Sequence, residues 1–154
     1  MNTKLETLAH QLGLNKPESE RLRLAFGLAC VLRVQHLLEA PRASACVAGL
    51  GAYLDGSIDR AAFDQLTAEA ARLANQHPGS GSLDGCGHAA VSATYAVAKA
   101  LAGRALDAAD YAAYAIVYAQ GGAGAVAERS SFDAEFAWQE ARLAALAEAP
   151  HTGG

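Results

Sequence analysis

The middle of the chain reads as runs of alanine: "CGHAAVSATYAVAKALAG" from Cys86 to Gly103, then "AADYAAYAIVYA" from Ala108 to Ala119. Alanine has the best intrinsic helix propensity, and its small side chain lets helix axes approach closely. Isoleucine occurs only at Ile58 and Ile116 and valine is modest, so a large sheet lacks its usual β-branched material. The chain is therefore expected to be all-α.

A chain of 154 residues fits one domain, residues 1–154, and a domain of that size buries roughly 68–70% of its unfolded surface. Apolar residues make up 52% and charged residues 18%, which excludes disorder. The net charge is −4 with acids and bases interspersed, so no basic stripe is available for nucleic acid. The N-terminal "MNTKLETLAHQLG" has no apolar stretch of the signal-peptide kind, and no segment approaches the roughly 18 apolar residues of a membrane span. Cys30, Cys46 and Cys86 are odd in number and lack a CxxC pair, so they read as reduced thiols of a cytoplasmic protein, two of them buried.

Punctuation by caps, glycines and prolines predicts about seven helices. The first spans Lys4 to Leu12, with Thr3 and Glu6 as a capping box and Gly13 past its end. The second spans Pro17 to Ala40 and is apolar around most of its circumference, which suits a central helix. The third runs from Arg42 to Leu54. The fourth starts at Asp59, with Ile58 and Phe63 as a hydrophobic staple, and ends near Asn75. The fifth ends at Gly103. The sixth starts at Asp107, with Leu106 and Tyr111 in staple positions and Asp110 where a capping-box acid belongs, and reaches about Gln120. "GGAG" is read as a loop, and a last helix follows Ser130 or Ser131 to Ala147. Helices three–four and five–six share one design, a glycine turn followed by apolar-Asp-three residues-aromatic. The expected architecture is a single bundle of αα-hairpins with antiparallel neighbours.

Chemistry-bearing residues are few. Cys86 in the first turn of helix five would have its thiolate favoured by the helix dipole. Its nearest base, His88, lies two residues on and points to the other side. Asp84, His88 and Ser92 are spaced four apart on one helical row, with no oxyanion hole or cleft to go with them; Asp84 orienting the His88 ring is the better reading. Arg33 and His36, on the largely apolar second helix, must find partners, and a pocket shared with His88 would make a ligand or interface spot. Tyr111, Tyr114 and Tyr118 form a stripe on helix six, with a core-facing default and an edge suited to a partner. No close His/Cys/Asp/Glu spacing matches a metal site, and no cofactor is expected.

Several segments in order carry a resemblance: "RLRLAFGLACVLRVQHLLEA" followed by a Pro-Arg helix, "CGHAAVSATYAVAKA", "AADYAAYAIVYA" and "EFAWQEARLAAL". From about Arg21 to Leu146 the chain resembles the all-helical immunity proteins of bacterial polymorphic toxin and contact-dependent competition systems. Gly87-His88-Ala89 and Trp138-Gln139 are the most specific of these motifs. A further histidine associated with some members is missing between Thr94 and Leu106. The resemblance implies a protein that binds and neutralises a cognate toxin; charge and hydropathy give no expectation of a nucleic-acid or membrane partner. For a basic toxin, the acidic balance would speed association. Two other readings stand beside it. Arg72 and His77 have the spacing of the HEPN ribonuclease motif, although Leu73 is apolar where that family has a polar residue. Arg33, His36 and His88 could line the pocket of a small-ligand-binding bundle.

Overall fold

The computed structural model describes residues 1–76 and 86–149. Seven α-helices and no strand occur among the described residues: α1 Thr3–Leu12, α2 Glu20–Leu32, α3 Pro41–Leu54, α4 Arg60–Gln76, α5 Cys86–Leu101, α6 Ala105–Ala127 and α7 Asp133–Glu148. Short 3-10 turns at Pro17–Ser19, Gln35–Leu37 and Arg129–Phe132 link them. The expected all-α bundle is the observed fold.

Alanine content decides how the bundle packs. Along α5, Ala89, Ala90, Ala93, Ala96, Ala98 and Ala100 are buried; along α6, Ala105, Ala108, Ala109, Ala112, Ala113 and Ala115 are buried. These two helices form the most extensively paired hairpin of the molecule, and α5 also touches α2, α3 and α4. Gly27 on α2 lies against the backbone of α5. A Cβ there would lie 3.1 Å from the Cβ of Ala100 and 3.2 Å from its Cα. Phe26, Cys30, Val31, Leu50, Phe63 and Leu143 supply the bulk between the small residues. The second helix is central as expected, and α5 shares the centre with it.

The two hairpin turns are alike in geometry. Ser57 N–H reaches Ala52 O and Gly56 N–H reaches Tyr53 O; Arg104 N–H reaches Lys99 O and Gly103 N–H reaches Ala100 O. Gly56 and Gly103 hold φ of 85° and 76°, the left-handed region that suits glycine. Beyond the turns the likeness ends. Asp59 caps α4, its carboxylate accepting from Ala62 N–H at 2.8 Å. Asp107 lies inside the first turn of α6 and pairs with Arg104 at 2.7 Å, so α6 starts at Ala105 and not at Asp107.

Three further boundaries differ from the sequence reading. The cap of α1 is Asn2, which accepts from Leu5 N–H at 3.1 Å; Thr3 is already helical. The expected second helix from Pro17 to Ala40 is broken: α2 is regular only over Glu20–Leu32, then tightens at Arg33 and Val34, whose N–H groups bond three residues back. Pro41 disfavours helical backbone in the residue before it, and Ala40 is extended. The "GGAG" segment is a helix with one non-helical residue, Gly122 at φ 64°, ψ −157°.

Candidate functional site

The outer face of the α5–α6 hairpin carries aromatic rungs. His88 stacks on Tyr118 at 5.2 Å between centroids, and Tyr95 stacks on Tyr111 at 5.3 Å. Because α5 and α6 run antiparallel, residues seven apart on one helix meet residues seven apart on the other. At 1.5 Å per residue the rungs are about 10 Å apart. Tyr114 lies on α6 between Tyr111 and Tyr118. It is 38% exposed, tilts toward Tyr118 at 6.4 Å and meets Phe132 edge-on at 5.2 Å. Phe132 in turn lies 5.4 Å from Phe136. The tyrosine stripe is therefore a rim: its inner neighbours Ala112, Ala113, Ala115 and Val117 are buried, while His88 and Tyr114 face solvent.

Of the residues expected to share a pocket, Arg33 is engaged elsewhere. Arg33 grips Glu135 of α7 through two hydrogen bonds of 2.7 Å, Nε to Oε1 and Nη2 to Oε2. Its guanidinium lies 4.1 Å from the centroid of Trp138. The hydrogen bond to Glu135 raises the Arg33 pKa further, and burial pushes the neighbouring Cys30 thiol far above its usual range. His36 sits in the separate Gln35–Leu37 turn, exposed, and no longer shares a helix with Arg33. His88 is engaged with Tyr118. Arg33 is a clasp between α2 and α7.

Asp84 and His77 lie outside the described residues, so neither the Asp84–His88 pair nor the Arg72–His77 pair has a geometry to report. Arg72 itself pairs with Glu69 one turn back. Cys86 is the first residue of α5. Cys30 and Cys46 are buried as expected, and burial raises the Cys46 thiol as well. No cluster of three or more potential metal ligands occurs among the described residues. No helix among them is long and apolar enough to cross a membrane.

Reading single residues missed a buried polar relay. Gln139, fully buried, donates to Ala109 O of α6 at 2.8 Å and accepts from Asn2 Nδ2 at 3.4 Å; Asn2 Nδ2 also reaches Phe136 O at 3.3 Å. This fastens α1, α6 and α7 together. The spacing of Glu135 and Gln139, four apart, puts both on one helix face; the adjacent Trp138 stacks under Arg33. Cavities of about 200 to 390 Å³ lie elsewhere. Two adjoin at Arg23 and Gly103, another lies between the start of α1 and α7, and another lies along α1 itself. Their arginines are already engaged: Arg23 donates to Leu14 O and Lys16 O, and Arg104 pairs with Asp107.

Comparison with family models, with curated proteins and with solved structures gave no match.

Proposed function

We propose that this protein is an immunity protein that binds a cognate bacterial toxin domain in the cytoplasm and holds it inactive. The observation that carries the reading is the aromatic edge formed by exposed His88 and Tyr114 with half-buried Tyr118. Tyrosine concentrates at the energetic centres of protein interfaces because it offers a large rigid surface with a polar tip. The sequence resemblance points the same way. The net charge of −4 favours a basic partner by long-range steering.

The role is recognition, with the toxin supplying the chemistry. Co-expression with the toxin encoded beside this gene tests it. Growth is expected to be restored and the two chains to purify together. Unrelieved toxicity in cells that contain the folded protein would overturn the reading.

A further inference from the structure

The far end of α6 is joined to the bundle differently from the rest of the molecule. Gly122 adopts φ 64°, ψ −157°, a backbone region essentially confined to glycine. It stands in a segment with three glycines in four residues, Gly121, Gly122 and Gly124, where helical propensity is poorest. From Ala119 to Ser131 no residue is buried. The segment is held by its own small apolar cluster, in which Ala125, Val126 and Phe132 pack with Ala113, Val117 and Phe136. That cluster is distinct from the main core, to which Cys30 belongs.

We propose that residues 122–132 form a strap that swings about Gly122 and opens without unfolding of the bundle, uncovering the apolar floor made by Ala113, Val117 and Phe136. Segments with few buried apolar contacts open at a fraction of the global free energy. Here the contacts to be broken are a handful, and the pivot is a residue with no Cβ to hinder rotation. Opening also breaks the Tyr114–Phe132 edge contact, so the strap governs how much of the aromatic edge faces solvent. The proposal is independent of the toxin reading, since it concerns the free protein alone.

Thiol labelling of the Val117→Cys variant tests it, with each cysteine followed by peptide mass. Val117 is 1% exposed beneath the strap, and Cys30 is 0% exposed in the main core. Each thiol's rate is divided by its rate in the urea-unfolded chain, which removes differences in intrinsic reactivity. The introduced thiol is expected to react on the order of 100-fold faster than Cys30 on this scale. Its rate should hardly change at low urea, because local opening exposes little surface. Adding Phe132→Ala should speed it about tenfold further while leaving Cys30 unchanged. Equal corrected rates and equal urea dependence at the two positions would overturn the proposal, showing that Val117 is reached only by global unfolding. The Val117→Cys change is small, and circular dichroism of the variant checks that the helices remain.

Discussion

Arg33 and Glu135, 102 residues apart in sequence, meet as a two-pronged ion pair with both hydrogen bonds at 2.7 Å. Trp138, one turn beyond Glu135 on α7, closes the other side of the guanidinium. Glu135 is only 5% exposed, whereas the Arg33 side chain is 38% exposed. The two ends of the pair are therefore unequal.

That inequality predicts the effect of removing each side. Arg33→Ala leaves a buried carboxylate without its partner. A fully buried pair broken in this way costs about 3–5 kcal/mol; solvent at the arginine end lowers the expectation to about 2 kcal/mol. Arg33→Lys should recover less than half of it, because an ammonium supplies neither the fork nor the stacked plane. Urea denaturation midpoints of the three proteins check this ordering.

The relay through Gln139 makes α1 dependent on α7. Gln139→Leu keeps roughly the same volume but deprives the Asn2 amide of a partner, with an expected cost of about 1–3 kcal/mol. Hydrogen exchange should rise first in α1, Thr3–Leu12, since that helix packs mainly on α7. Uniform acceleration over all seven helices would contradict the relay's local role.

The α2–α5 crossing predicts a contrast between two glycine substitutions. Gly27→Ala drives a methyl against the backbone and Cβ of Ala100, and neither can turn aside. An overpacking cost of about 1–3 kcal/mol is expected. Gly49→Ala meets the Cδ1 of Leu66, the end of a flexible side chain that can change rotamer, so it should cost less. Thermal denaturation of both variants checks the order.

Asp110 gives the fold a pH signature. Burial raises its pKa, Glu6 and Asp107 add to the rise, and the N-terminal amino group opposes it. A carboxyl group with a raised folded pKa binds its proton more tightly in the native state. Its contribution therefore favours folding at low pH and is lost as pH rises from the unfolded value, about 3.9, through the folded one. At neutral pH the charge is a cost. Asp110→Asn should stabilise the protein at pH 7 and lose that advantage near pH 3.5, measured as the shift in urea midpoint at each pH.

Much of this architecture was legible in the residues, and the failures have physical causes. The glycine stops at Gly56 and Gly103 and the Asp59 cap could be read directly, because each is a local rule satisfied by neighbours in sequence. The break after Leu32 could not. The apolar pattern continues through Leu38 and no glycine or proline marks the position, so nothing local announces the tightening at Arg33 and Val34. The pairing of Arg33 with Glu135 was equally hidden. Helical spacing placed Arg33 and His36 together, and nothing local revealed that Glu135 would claim the arginine. The tyrosine stripe was visible as a stripe. Its position as a rim depended on His88 and Phe132, contributed by other elements.

The most direct test of the account is the affinity of the purified protein for its cognate toxin domain, measured by calorimetry for wild type, Tyr114→Ala and His88→Ala. Loss of an exposed aromatic anchor at an interface centre costs about 2 kcal/mol or more, so each variant should bind on the order of 30-fold more weakly while circular dichroism shows it still folded. Wild-type affinity in both variants would contradict recognition through the α5–α6 aromatic edge.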